Sequence, residues 1–368
     1  MENLSVPYVA FKQQVAAIKK ELMNAVESVL ESGQYVLSEK GKQFEKEFSE
    51  YCKTNFSTGV ANGTCGLHLV LRCLDIGPGD EVITAPNSFI ASAGSIGVLG
   101  AKPVFVDICQ DLNIDPAQLE KAITPKTKAI MPVHLTGRPA KMTQILEIAD
   151  KNKLLVVEDA AQAVGAKLDG KRVGGIGDVA CFSLHPLKNF HAFGDGGMVT
   201  TNRQEIYEKI IVARNHGLKN REECDFWSYN CRLDEIQAAM LSVQLPLLDK
   251  WTEERRKIAF RYNELLRPYA EVPDEGEGEY CVFQTYVVKA PRRDELKAYL
   301  NEKGVEALVH YPLPLHLQPA AKNLGYQEND FPVTMEMSKK IMSLPLYPEL
   351  SEQQQDYVTH LFEVFYKK

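Results

Sequence analysis

The sequence has little of what marks a membrane protein or a nucleic-acid-binding protein. No apolar run approaches the roughly 20 residues that a helix needs to cross a bilayer. Lys and Arg number 42 against 49 Asp and Glu, so the formal net charge is -7 and works against binding to nucleic acid or anionic lipid. Residues 1–7 have neither the basic stretch nor the apolar stretch of a secretory signal. We therefore expect a cytoplasmic protein with no nucleic-acid or membrane partner.

Signatures of a metal site and of a dinucleotide site are also missing. The eight cysteines form no C-x-x-C pair, and no Cys/His cluster has the spacing of a zinc site. No G-x-G-x-x-G follows the first predicted strand, which disfavours a Rossmann dehydrogenase. We expect reduced, packed thiols and no bound metal.

What the sequence does contain is the composition of an ordinary soluble enzyme. Apolar residues make up 45% and charged residues 25% of its 368 positions. This length exceeds the usual limit for one hydrophobic core, so we predict two domains that share one site. A change of pattern near Lys250 predicts a large domain of residues 1–250 and a smaller carboxyl-terminal α+β domain of residues 251–368.

The large domain alternates helical patterns with short apolar strands, which is typical of a mostly parallel central sheet flanked by helices. Ligands on such sheets gather beyond the carboxyl ends of the strands. Strands are predicted at residues 57–61, 81–84, 103–106, 129–133, 154–157, 180–183 and 198–201. Helices are predicted at residues 11–31, 40–51, 116–122 and 141–152. Beyond them we expect a helix over residues 233–266 broken at Pro246, a strand at 282–288, a helix at 294–303 and a last helix from Ser351.

An acid at a strand end and a lysine 29 residues later are the strongest candidates for chemistry. Asp159 ends an apolar strand and is followed by Ala160-Ala161, and Lys188 precedes a turn rich in glycine. These are the two protein groups that pyridoxal phosphate (PLP) needs. The lysine forms a Schiff base, and the carboxylate keeps the pyridine nitrogen protonated so that the ring withdraws electrons.

Each of these residues also has an ordinary interpretation. A lysine is usually a surface residue, and an acid at a strand end usually caps a loop or pairs with a base. Lys188 differs because its neighbours, such as Phe182, Leu187 and Phe190, are apolar. Desolvation would lower its pKa and make it a nucleophile near neutral pH.

A turn between a strand and a helix is a candidate phosphate site. Gly63 and Thr64 follow Asn62 at the start of a predicted helix, where backbone N–H groups are free. In isolation, an ordinary capped loop is the favoured interpretation of this turn. Ser183 ends a strand five residues before Lys188 and is placed to add a hydroxyl to the same phosphate.

Taken together, these motifs resemble those of the DegT/StrS family of PLP-dependent nucleotide-sugar aminotransferases, which have the fold of aspartate aminotransferase (fold type I). The resemblance covers nearly the whole chain. Its most specific part is Asp159-Ala160-Ala161-Gln162 followed by Ser183 and Lys188. It also includes the Asn-Gly-Thr turn and the segments 230–234 and 310–316.

The resemblance implies a role for each matching residue around the cofactor. Lys188 would carry PLP and move the proton, and Asp159 would pair with the pyridine nitrogen. The other implied cofactor contacts are Gln162 to the ring hydroxyl, Phe89 stacked on the ring, Gly63, Thr64 and Ser183 to the phosphate, and Asn230 to the phosphate of the neighbouring subunit. The implied contacts to the sugar nucleotide are His185, His310, Tyr311 and His316. For Phe89, a core position on an amphipathic helix is the competing interpretation.

The implied function is amination of a nucleotide-linked keto-sugar, with glutamate as donor and 2-oxoglutarate as its product, by a homodimer whose sites are shared. The sequence Gly194-Asp195-Gly196-Gly197 resembles the subgroup that acts at C-3. The expected pathway is amino-sugar synthesis for a surface polysaccharide such as lipopolysaccharide. Alternatives are a PLP-dependent sugar dehydratase, an aminotransferase for a cyclitol, and a regulatory protein without turnover. Lys188 favours transamination, because related dehydratases carry His in its place.

Overall fold

A seven-stranded sheet forms the centre of the molecule, for which the computed structural model describes residues 4–367. Its strand order is β1-β9-β8-β5-β4-β2-β3. The neighbours from β3 to β8 pair in parallel, whereas β9 runs antiparallel to both β8 and β1. The strands of this sheet are β1 Phe56–Val60, β2 Glu81–Thr84, β3 Lys102–Phe105, β4 Thr127–Ile130, β5 Leu155–Asp159, β8 Val179–Ser183 and β9 Gly197–Thr201.

The predicted α/β class with a mostly parallel sheet is confirmed. All seven predicted strands of the large domain are present, displaced by no more than a few residues. Their side chains are largely buried on both faces, as expected for a parallel sheet covered by helices. Asp159 is the last residue of β5 and Ser183 is the last residue of β8, so two candidate residues lie at one edge of the sheet.

Thirteen α-helices are present in residues 4–367. They are α1 Phe11–Ala16, α2 Lys19–Ser32, α3 Glu39–Cys52, α4 Gly63–Cys73, α5 Ile90–Val98, α6 Leu119–Ala122, α7 Met142–Asn152, α8 Gln204–Ala213, α9 Glu235–Gln244, α10 Leu248–Leu266, α11 Arg293–Glu302, α12 Pro332–Lys340 and α13 Glu352–Lys367. The expected break at Pro246 is confirmed, since a 3₁₀ turn over Leu245–Leu247 separates α9 from α10. The single helix predicted at residues 11–31 is wrong, because Ile18 leaves the helical conformation between α1 and α2.

The carboxyl-terminal part has a core of its own. Strands β11 (Tyr286–Lys289) and β12 (Ile341–Leu344) pair antiparallel, and α10, α11 and α13 contribute buried side chains beside them. Val6 packs into the same core, so the amino-terminal segment joins residues that are distant in sequence. The boundary between residues 250 and 251 stays a prediction. The small strands β6 Lys167–Leu168, β7 Lys171–Arg172 and β10 Glu279–Tyr280 form a third sheet.

The strand predicted at residues 282–288 is shorter than expected, because residues 282–285 hydrogen-bond to a loop of the large domain. The N–H groups of Val282 and Thr285 donate to the carbonyl groups of Gly137 and Thr136, in the loop after β4. This segment therefore connects the carboxyl-terminal part to the edge of the sheet where Asp159 lies. Among the described residues, no helix is long and apolar enough to cross a membrane.

Candidate active site

Asp159 is a buried carboxylate held by two hydrogen bonds. Its side chain is 3% exposed. Oδ2 accepts from the Ser92 hydroxyl at 2.7 Å, and Oδ1 accepts from the Ala161 N–H at 3.2 Å. Burial raises the pKa of Asp159, while these two donors and the charge of Lys188 act in the opposite direction. Each oxygen accepts a single bond within the described residues, so the group has lone pairs left for a cationic partner.

Lys188 lies in the turn after β8, close enough to Asp159 for their charges to interact. Its N–H donates to the His185 carbonyl at 2.8 Å, which fixes the turn. Within residues 4–367, Nζ makes no hydrogen bond or ion pair. Burial lowers the pKa of Lys188 to about 8, and the negative charge of Asp159 opposes that shift. At neutral pH roughly a tenth of the side chain is therefore an uncharged amine, which is the nucleophilic form.

Gln162 is oriented by the loop that follows β4. Its Oε1 accepts from the Thr136 N–H at 2.7 Å, and its Nε2 donates to the Tyr311 hydroxyl at 3.4 Å. The next residue, Gly137, has φ of +91°, and a Cβ there would lie 2.7 Å from Val282 Cγ2. A glycine is thus required for the close approach that joins the loop, Gln162 and the carboxyl-terminal part.

The start of α4 forms an anion-binding cradle. Asn62 caps the helix, because its Oδ1 accepts from the Cys65 N–H at 2.9 Å. The N–H groups of Gly63 and Thr64 make no hydrogen bond to any described residue, and they carry the positive end of the helix dipole. A Cβ on Gly63 would lie 2.8 Å from Ser183 Cβ, so the helix start is packed directly against the end of β8. Free N–H groups beside a serine hydroxyl fit the phosphate of PLP.

Phe89 is not a core residue. It immediately precedes α5, is 49% exposed, and its ring centroid lies 5.7 Å from that of Tyr311. One turn further along the same helix, Ser92 binds Asp159. The beginning of α5 therefore brings an accessible aromatic ring close to the buried carboxylate, as stacking on a cofactor ring requires.

His310 and His185 lie near the lysine and differ in burial. His310 Nδ1 is 2.8 Å from the Ser343 hydroxyl, and the ring lies 5.8 Å from that of Tyr8. Burial, with a smaller contribution from the charge of Lys188, lowers the pKa of His310 to about 4, so it is neutral at physiological pH. His185 is exposed, and its Nδ1 accepts from the Leu187 N–H at 3.2 Å.

His316 and Asn230 are placed differently from the other candidates. His316 is buried in a separate apolar cluster, with its ring 4.8 Å from that of Phe331. These contacts do not test its role in binding a substrate, which stays a prediction. Asn230 is exposed and pairs with Asn215, and its side chain makes no hydrogen bond to the described part of the chain. Its role in a neighbouring subunit stays a prediction.

The structure also shows residues that the sequence did not single out. Ser92, Thr136 and Tyr8 touch Asp159, Gln162 and His310, respectively, from segments far away in sequence. For Ser92 there was one signal: Ser88 and Ser92 are four residues apart in a stretch of small and apolar residues.

A second buried pair lies beside Asp159. The Ala140 N–H donates to His134 Nδ1 at 2.9 Å, so the proton of the neutral ring is on Nε2, 3.0 Å from a Glu158 oxygen. Backbone N–H groups of Gly174, Ile176 and Gly177 also donate to Glu158. Successive strand residues point to opposite faces, so Glu158 fastens the loops while Asp159 faces the site.

Comparison with known protein families identifies the family of this chain. The model of the DegT/DnrJ/EryC1/StrS aminotransferase family matches residues 16–363. The chain belongs to this family. Its members use PLP, and the protein is therefore a PLP-dependent sugar aminotransferase of fold type I.

Individual members of the family align along almost the whole chain. A protein of Geobacillus stearothermophilus named a pleiotropic regulatory protein is 47% identical over 99% of both chains. The dTDP-3-amino-3,4,6-trideoxy-alpha-D-glucose transaminase of Streptomyces venezuelae is 40% identical over 96% of this chain and 94% of its own. The crystal structure of S. venezuelae DesV in complex with a ketimine intermediate matches with a TM-score of 0.96 at 39% identity, covering 99% of both chains.

Proposed function

We propose that this aminotransferase moves an amino group from glutamate to the C-3 carbonyl of a keto-sugar carried on a nucleotide. The observation that carries the proposal is a lysine with a pKa of about 8 beside a buried carboxylate, at an edge of the sheet where a helix start offers free N–H groups. When bound, PLP supplies a conjugated ring that withdraws electrons from the carbon that loses or gains a proton.

Lys188 has two roles in this proposal. Its Nζ would hold the cofactor covalently between turnovers, which the uncharged amine makes feasible near neutral pH. When it is not joined to the cofactor, the Lys188 amine would take a proton from one substrate carbon and return it to another. A base with a pKa close to the working pH is suited to both directions of that transfer.

The other residues hold and tune the ring. Asp159 keeps the pyridine nitrogen protonated, because a buried carboxylate stabilises an adjacent positive charge in a low dielectric. Gln162, already oriented by Thr136, would donate to the ring hydroxyl, and Phe89 would cover one face of the ring. Gly63, Thr64 and Ser183 bind the phosphate.

His310, Tyr311 and His185 form the side of the site that we assign to the sugar nucleotide. His310 is neutral, and so it offers a hydrogen bond without adding positive charge beside Lys188. The C-3 position is supported by the names of relatives, among them the S. venezuelae transaminase and 3-aminotransferases of dTDP- and UDP-linked sugars. The expected pathway remains amino-sugar synthesis for a surface polysaccharide, in the cytoplasm.

A regulatory role is the competing proposal, since the 47% identical relative is named a regulatory protein. A protein without turnover has no need for a desolvated lysine beside a carboxylate. Here Asp159, Gln162, Ser183 and Lys188 are all present, which supports catalysis. We therefore favour catalysis.

A homodimer with shared sites completes the proposal. Trp227 is 87% exposed and Tyr229 40% exposed, and aromatic side chains of this size are costly to leave in water. Both precede Asn230 in an exposed segment. We assign this segment to the subunit interface, with Asn230 directed at the phosphate bound by the partner.

The test is the reverse reaction, with PLP, 2-oxoglutarate and a panel of nucleotide-linked amino sugars. Glutamate should form with 3-amino sugars on dTDP or UDP, and Lys188→Ala should abolish it. Lys141→Ala, at a partly buried lysine that pairs with Asp111, is the matched control and should keep activity. Glutamate from 4-amino sugars or free amino cyclitols alone, or none from any substrate with properly loaded enzyme, would contradict the proposal.

A further inference from the structure

Two buried serines at the beginning of α5 form a hydrogen-bonded chain that ends on Asp159. The Ser88 and Ser92 hydroxyl oxygens are 2.7 Å apart, and Ser92 Oγ is 2.7 Å from Asp159 Oδ2. Ser88 is 4% exposed and Ser92 1% exposed. A hydroxyl removed from water costs free energy unless it is hydrogen-bonded, so each of these contacts matters to the local structure.

Which group donates in each hydrogen bond of this serine pair follows from the number of protons that the three oxygens carry. An ionised carboxylate only accepts, so Ser92 must donate its one proton to Asp159. Ser92 Oγ is then left as an acceptor, and Ser88 donates to it. A donor that is itself accepting a hydrogen bond is strengthened, and a bond to a charged acceptor is stronger than one between neutral groups. The chain thus favours the ionised form of Asp159.

The segment that carries the two serines also carries the accessible ring of Phe89. Phe89 is the residue before α5 and Ser92 lies in the first turn of that helix, so one short segment carries both. No other side chain of residues 4–367 makes a hydrogen bond to Asp159. The titratable groups around the carboxylate are Lys188, His134, Tyr311 and Cys181, from four different segments.

We propose that Ser92, supported by Ser88, is a positioning residue that keeps Asp159 ionised and aimed at the ring nitrogen of the cofactor. Ser92 acts through Asp159 and does not itself touch a reacting atom. The inference rests on the proposed role of Asp159. Its test must therefore separate the two claims.

The first measurement uses cofactor-free protein and needs no turnover. The Asp159 carboxyl carbon, labelled with ¹³C, is titrated by NMR in wild type, Ser92→Ala and Ser92→Thr. Loss of one hydrogen bond to a charged group should raise the pKa of Asp159 by about one unit in Ser92→Ala. Ser92→Thr keeps the hydroxyl and should restore the wild-type titration. Ser88→Ala should shift it in the same direction by less.

The second measurement is the pH profile of the half-reaction with the amino donor. In Ser92→Ala the acid limb should move to higher pH, and the rate should fall about tenfold. Ser95→Ala is the matched control, because Ser95 is buried on the same helix but donates to the Ser92 carbonyl at 3.1 Å. Its profile should stay unchanged. In an Asp159→Asn background, Ser92→Ala should add no further loss.

The outcomes separate the two claims. An unchanged ¹³C titration and pH profile in Ser92→Ala, with Asp159→Asn severely slowed, would overturn the assignment of Ser92 and leave the role of Asp159 intact. Near-normal rates in Asp159→Asn would overturn the role of Asp159 itself, and with it the inference. Thermal unfolding of every variant identifies any that lose the fold, and Ser88→Ala then decides in place of Ser92→Ala.

Discussion

Replacing Lys188 by methionine should stabilise the cofactor-free protein at neutral pH. Methionine keeps the length of the side chain but removes a charge that the fold disfavours. Burial lowers the pKa of Lys188 from 10.5 to about 8, so the unfolded chain binds this proton more tightly than the folded chain. In wild type, charged Lys188 therefore lowers the free energy of unfolding. This destabilisation is complete below pH 8 and disappears as the pH rises to 10.5.

The magnitude follows from the same two values. The difference between 10.5 and about 8, at about 1.36 kcal/mol per unit of pKa, corresponds to about 3 kcal/mol. Because Lys188 keeps some contact with solvent, we expect Lys188→Met to gain about 2 kcal/mol at pH 7.

The assay is urea unfolding of both proteins at equal concentration, at pH 7, 8.5 and 10. The gap in the free energy of unfolding should be largest at pH 7 and shrink towards pH 10. Lys141→Met is the control and should not stabilise at pH 7: although burial lowers the pKa of Lys141, contacts with Cys109 and Asp111 raise it. The idea of a desolvated lysine would be refuted if Lys188→Met were no more stable than wild type. It would also be refuted if the difference in the free energy of unfolding between the two proteins did not change with pH.

Two further predictions concern the phosphate. Gly63→Ala should weaken PLP binding by at least about tenfold, as measured by equilibrium dialysis. The added Cβ would lie 2.8 Å from Ser183 Cβ and push the start of α4 away from the end of β8. Unchanged affinity would mean that these residues do not hold the phosphate. Mixing Lys188→Ala with Asn230→Ala subunits should restore part of the activity, since one site of each mixed dimer keeps both residues. No recovery after proven subunit exchange, with Asn230→Ala alone badly impaired, would reject a shared site.

The large sheet and the ends of its strands were predictable because apolar runs and turn residues are local signals. Asp159 and Ser183 end their strands as expected, and Pro246 interrupts its helix because proline lacks the N–H that a continuous helix needs. Lys188 was predictable from its apolar neighbours, and the family resemblance then pointed to Gln162 without any long-range information.

The contacts that tune the site were not predictable in the same way, because they join distant segments. Ser92 is 67 residues from Asp159, and Tyr8 is about 300 residues from His310. The burial of His316 against Phe331 likewise depends on tertiary packing, which its motif does not encode. Residues 282–285 have strand-like composition, yet they bind the loop after β4 because that loop offers free carbonyl groups.

The most direct test of the account is to map the lysine that carries PLP. Protein loaded with the cofactor is reduced with borohydride, digested and analysed by mass spectrometry. The account predicts one modified peptide, containing Lys188, and no covalent label in Lys188→Ala. A label on any other lysine, with Lys188 unmodified, would contradict it.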